Sequence, residues 1–223
     1  MKGNPGCSSL LSLLTENGPF HVNPDGKTLF ENVFAWNKQA NVLYLEGPVG
    51  VGFSYSTDPN ATAASSTWQG LVDTSVLALL DFLTAYPEYT NRPLYLGGDY
   101  YAGLFVPALG RQLARGIAQG SMPGLNLTGL MVGNGLFSES YRLNSAIALL
   151  YHRGLIGKPD WDWLWSNCCS GNVSYAQAAL CDFSQNTRGI GYNQDCIGKV
   201  NSISELAGAI GSVPGGVYNI FQV

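Results

Sequence analysis

The residues best placed to do chemistry lie in Gly97-Gly98-Asp99-Tyr100-Tyr101-Ala102-Gly103. The apolar stretch Pro93–Leu96 precedes them. A segment that sets Phe105, Val106, Leu109, Leu113 and Ile117 on one helical face follows. Strand, tight turn and helix in that order form the setting of a nucleophile elbow, where an exposed nucleophile occupies a sharp turn between small neighbours. Gly98 and Ala102 lie two residues either side of Tyr100, and Gly103 follows them. The geometry is that of acyl-transfer chemistry, but its apex carries a phenol where a compact hydroxymethyl group belongs.

Other candidate nucleophiles and bases are weaker. Ser54, in Gly52-Phe53-Ser54-Tyr55-Ser56, approaches the G-x-S-x-G pattern, but its fifth position is wrong and no helix follows. The two histidines, His21 and His152, read as structural. Cys168, Cys169, Cys181 and Cys196 share one stretch, with Cys7 alone near the start. Four cysteines could bind zinc, yet the adjacent Cys168-Cys169 lacks a C-x₂-C bite and no histidine is close by. Two disulfides are therefore expected, with no metal and no cofactor. Three sequons, at Asn60, Asn126 and Asn172, make those asparagines glycosylation candidates. With the cysteines they favour a secreted or lysosomal compartment. No apolar leader opens the chain, which suggests upstream sequence.

The elements that must position these groups alternate. Ala40–Leu45 reads as a strand buried on both faces, ending in the breaker-rich Gly47-Pro48-Val49-Gly50-Val51-Gly52 loop. Ser65 or Ser66 can cap a helix bearing Trp68, Leu71, Val72, Val76, Leu79, Leu80 and Leu83, with Pro87 beyond its end. Leu127–Val132 is a third strand, before Gly133-Asn134-Gly135. Strand–helix alternation predicts an α/β class with a mostly parallel central sheet flanked by helices. From about residue 137 the chain turns to helical segments and the tryptophans Trp161, Trp163 and Trp165, which read as packing and as the start of a helical insertion. The division expected is 1–136 and 137–223. Hydrophobic residues make up 46% and charged residues 12%, which suits a well-buried core. The net charge of −4 argues against nucleic acid. No apolar run reaches the roughly 18 residues of a membrane span.

Pro5-Gly6-Cys7-Ser8-Ser9-Leu10, Glu16-Asn17-Gly18-Pro19-Phe20, Trp36-Asn37 and Gly50-Val51-Gly52-Phe53-Ser54-Tyr55 occur in that order. Tyr101-Ala102-Gly103, Val106-Pro107 and Gly133-Asn134-Gly135 continue the series. Together they resemble the serine carboxypeptidases, a family of the α/β-hydrolase fold. The resemblance runs along nearly the whole chain, and the chain covers about the N-terminal half of such a protein. It implies a partial α/β-hydrolase at 1–136 and a disulfide-bearing helical cap at 137–223. The family's Gly-Glu-Ser-Tyr-Ala-Gly elbow falls on Gly98–Gly103, so its nucleophilic serine corresponds to Tyr100. The resemblance puts the triad acid and histidine beyond Val223. It also implies an oxyanion hole from the amides of Asn4 and Tyr101; asparagine enters positive φ more readily than most residues. Lys2 stands where the family has an asparagine.

Glu16 and Asp99 correspond to the paired acids that grip a substrate's terminal carboxylate. Such a pair can donate a hydrogen bond only when it shares a proton, and Asp99 is one methylene shorter than the family's glutamate. The resemblance further implies the pairs Cys168–Cys196 and Cys169–Cys181, a free thiol at Cys7, and a homodimer. Two functions follow as expectations. One is a carboxypeptidase relative, acting on peptide C-termini, that this chain cannot run because Tyr100 replaces the nucleophile. The other is a non-enzymatic protein that keeps the carboxylate site.

Overall fold

The computed structural model describes residues 7–58, 60, 67–169, 174, 181–185 and 193–211. The chain divides into two compact units, Met1–Phe137 and Ser138–Val223. The first is α/β. It opens with a short helix α1 (Leu10–Thr15), an antiparallel ribbon of β1 (Phe20–Val22) and β2 (Leu29–Glu31), and a 3-10 turn at Trp36–Lys38. Then come helix α2 (Trp68–Ala85), strand β3 (Pro93–Asp99), helix α3 (Ala102–Ala118) and strand β4 (Asn126–Gly133).

β3 and β4 pair in parallel from Pro93↔Asn126 to Asp99↔Gly133, with one register shift between Leu94 and Tyr95. A parallel pair needs a crossover, and α3 supplies it. Its Phe105, Val106, Leu109 and Leu113 pack with Leu96 of β3 and with Leu71, Val72, Val76 and Leu79 of α2. Each such buried side chain contributes about 1.5–3 kcal/mol relative to its exposed state. Asp73 of α2 accepts hydrogen bonds from Gln112 of α3 at 2.7 Å and from Gln69 at 2.9 Å, which tie the two helices and hold its carboxyl below the usual range.

The α/β class with flanking helices stands: among the described residues the strands form the parallel pair β3–β4 and, as a separate sheet, the antiparallel ribbon β1–β2. Two expectations change. Ala40–Leu45 is extended but unpaired, and Leu43 is 46% exposed. β3 and β4 bond to each other, and among the described residues no strand pairs with this segment. Side chains hold it instead: Leu45 packs against the core, and the Tyr44 hydroxyl donates to Asn17 Oδ1 at 2.7 Å. The cap of α2 is Thr67, whose Oγ1 accepts the Gly70 N–H at 3.0 Å; Ser65 and Ser66 lie outside the described residues.

The second unit carries the helices α4 (Glu139–His152), α5 (Lys158–Cys168) and α6 (Gln194–Gly211). Its core gathers Ile147, Trp161, Leu164, Phe183, Val200 and Ile203 around the cysteines. Trp161 is buried and stacks on Tyr151 with ring centroids 4.5 Å apart. Lys199 of α6 pairs with Asp160 of α5. No helix among the described residues is long and apolar enough to cross a membrane.

Candidate active site

Tyr100 follows β3 and adopts φ +56°, the left-handed conformation that a bulky side chain rarely takes. Main-chain hydrogen bonds hold it there. The Tyr100 N–H donates to the Gly133 carbonyl at 3.1 Å, and the Tyr100 carbonyl accepts from Leu136 N–H at 2.6 Å and Gly103 N–H at 3.0 Å. The end of β4 and the turn after it therefore clamp the apex from one side, and α3 starts on the other. Ala102 is fully buried, and a Cβ on Gly103 would lie 2.6 Å from the Leu136 nitrogen. Small residues are required there because strand, turn and helix pass within backbone contact.

Tyr101 is the N-cap of α3, and its ring meets Trp68 of α2 edge-on at 5.6 Å. Among the described residues no backbone acceptor takes the Tyr101 N–H. Asn4, the other expected donor, lies outside the described residues, as does Lys2. Asp99 ends β3, half-buried, opposite Gly133.

Glu16 is the C-cap of α1 and is exposed. Its carboxylate accepts from Ser12 Oγ at 2.8 Å. The backbone around it is heavily bonded: the Glu16 and Gly18 carbonyls each accept from Asn32 Nδ2 at 2.9 Å, and the Asn17 carbonyl accepts from Trp36 N–H at 3.0 Å. A Cβ on Gly18 would meet the Leu13 carbonyl oxygen at 1.9 Å, so only glycine fits. α1 packs on β1, and β3 packs on β4 and α3.

Neither histidine nor Ser54 forms a nucleophile–base arrangement among the described residues. His21 Nε2 lies 3.2 Å from the Glu16 carbonyl and its ring meets Phe30 edge-on. His152 sits beside Tyr151 and Trp161. Ser54 closes a loop through Ser54 N–H to the Val51 carbonyl, 2.9 Å, and residues 55–58 after it are not helical. That loop is anchored by Glu46, whose carboxylate accepts from the Ser8 hydroxyl and from Phe53 N–H. The Ser8 hydroxyl first, then the Phe53 amide, holds the Glu46 carboxyl below its ordinary range.

The structure joins Cys168 to Cys196 and Cys169 to Cys181. Cys7 is half-buried and in no disulfide. No cluster of three or more histidine, cysteine or acidic side chains suited to a metal occurs among the described residues. Asn60 and Asn126 are exposed; Asn172 lies outside the described residues.

Sequence reasoning overlooked Asn32, Tyr44, Ser8 and Glu46, which hold the segments around Glu16 and Ser54. The one signal for Asn32 is its place, next to Glu31, between the apolar stretches Leu29-Phe30 and Val33–Trp36. For the others nothing short of the fold shows the pairing, since Ser8 and Glu46 are 38 residues apart.

Comparison with known proteins bears on what this geometry belongs to. A family model described as serine carboxypeptidase matches residues 1–213. The lysosomal protective protein of Mus musculus is 38% identical over 221 residues, covering 99% of this chain and 42% of that protein. A serine carboxypeptidase of Caenorhabditis elegans is 40% identical over 83% of this chain and 32% of its own length. The crystal structure of a prohormone-processing carboxypeptidase from Saccharomyces cerevisiae superposes with a TM-score of 0.72 at 23% identity, covering 92% of this chain and 43% of that one. The chain thus spans less than half the length of the relatives it matches.

Proposed function

The chain belongs to the serine carboxypeptidase family, and from that premise we propose that it keeps the family's elbow without its hydrolysis. One observation carries this reading: the elbow's apex residue is Tyr100, in the left-handed conformation, between residues that must be small. An elbow presents its nucleophile at a point shaped for a hydroxymethyl oxygen close to the backbone. In tyrosine the oxygen sits at the far end of an aromatic ring, so it leaves the place where an acyl carbon would meet the amide of Tyr101. Residues 1–136 act as the hydrolase core in this reading, and 137–223 as a helical cap. The oxyanion donors are the amides of Asn4 and Tyr101.

Purified chain incubated with an N-blocked dipeptide between pH 4 and 8 is expected to release no C-terminal amino acid above buffer. Turnover that scales with the protein and disappears in Ser54→Ala would overturn the assignment of the elbow.

A second reading rests on Glu16. Its exposed carboxylate ends α1 on a turn held by several hydrogen bonds, which suits a fixed recognition group better than a mobile surface acid. With Asp99 it would grip the terminal carboxylate of a peptide, and a shared proton would confine that grip to acidic pH. The ligand is then a peptide C-terminus, and the compartment a lysosomal or secretory one, where Asn60, Asn126 and Asn172 are glycosylation sites.

A further inference from the structure

We infer that Asn32 is a positioning residue for the Glu16 carboxylate, an inference that rests on the carboxylate-binding reading above. Asn32 is 7% exposed, in the segment after β2. Its amide nitrogen donates both protons, one to the Glu16 carbonyl and one to the Gly18 carbonyl, each at 2.9 Å. Its amide oxygen accepts from Phe34 N–H at 3.0 Å. Its own backbone N–H donates to the Pro19 carbonyl at 2.9 Å, and its carbonyl accepts from Ala35 N–H at 3.2 Å. All five polar links of Asn32 are thus made, three by its side-chain amide and two by its main chain.

The geometry explains why an amide, and no other side chain, serves. Two carbonyls that flank Asn17 point at one nitrogen, which must carry two N–H groups and no charge. An aspartate of the same shape would set oxygen against oxygen at both bonds. An alanine would leave the buried Gly18 carbonyl unpaired, which is costly, and the Glu16 carbonyl with the His21 ring nitrogen at 3.2 Å. Asn17, between them, is fixed separately by the Tyr44 hydroxyl at 2.7 Å and by Trp36 N–H at 3.0 Å. The turn therefore hangs from the 32–44 segment rather than from α1 alone. Glu16 is the C-cap of α1 and the first residue of this turn, so the direction of its side chain follows the turn. Asn32 touches no ligand in this arrangement; it acts through the backbone of Glu16.

The test is isothermal calorimetry of the full chain at pH 5 with an N-blocked dipeptide bearing either a free C-terminal carboxylate or a C-terminal amide. Wild type is expected to bind the carboxylate form at least tenfold more tightly. Asn32→Ala is expected to bring that ratio down about tenfold, with the affinity for the amide form unchanged. Tyr44→Phe removes one bond to the same turn without a cavity, and is expected to lower the ratio about twofold to threefold. It also keeps the inference open to refutation if Asn32→Ala does not give a cooperative thermal transition. A wild-type ratio near one sinks the carboxylate-binding reading, and this inference with it. A wild-type preference that survives in both variants overturns the inference alone.

Discussion

The elbow of the first unit and the cysteine-bearing core of the second order their chains by different means. Around Tyr100 the order is main-chain: three backbone hydrogen bonds from Gly133, Leu136 and Gly103 close the turn, and glycine and alanine let it close. In the second unit the order lies in side chains, with the Cys168–Cys196 and Cys169–Cys181 bonds set among Trp161, Leu164 and Phe183. The contrast shows how a turn can keep its shape whatever side chain stands at its apex. A turn held by its backbone tolerates a new side chain at the apex, even a tyrosine. A core held by side chains has no such freedom.

The largest effect should come from breaking the second region. Replacing Cys168 and Cys196 by serine removes a crosslink that spans 28 residues. The loss of loop-closure constraint is expected to cost the second unit about 3–4 kcal/mol. Urea unfolding followed by tryptophan fluorescence would measure it; a loss below about 1 kcal/mol would mean that the aromatic core holds the unit without the bond. A smaller effect, of opposite sign in the two regions, should follow one substitution made twice. Gly103→Ala sets a methyl group against the backbone of Leu136 and should destabilise by about 2–3 kcal/mol. Gly198→Ala, in α6 with nothing within 4 Å of the new Cβ, should stabilise by up to about 1 kcal/mol through helix propensity. Thermal melts that moved both variants in one direction would erase the distinction.

The smallest effect concerns Glu46. Its folded carboxyl is held below its unfolded value, so its contribution is present above about pH 4.3 and fades as pH falls through the lower folded value. Glu46→Gln should therefore flatten the decline of first-unit stability between about pH 5 and 3. Parallel pH profiles for the two proteins would show that the Ser8 and Phe53 bonds contribute nothing.

Much of this was legible in order along the chain. The β3–turn–α3–β4 series, the apolar face of α2 and the need for small residues beside Tyr100 all follow from local spacing. The helix cap moved by one or two residues to Thr67, because caps depend on which side chain reaches the first free amide. Ala40–Leu45 has the composition of a buried strand, but a strand exists only beside a partner, and composition cannot name one.

By itself the sequence determined that an elbow would form and that a phenol would stand at its apex, since both depend on residues a few positions apart. Tertiary structure alone decided that Tyr100 would be locked at φ +56° by Gly133 and Leu136. It alone decided that Asn32 would carry the turn at Glu16, and that Glu46 would tie the loop at Phe53 to Ser8. The physical reason is the same in each case. A hydrogen bond is made by atoms a few ångströms apart, and which distant residues come that close is settled by how the helices and strands pack.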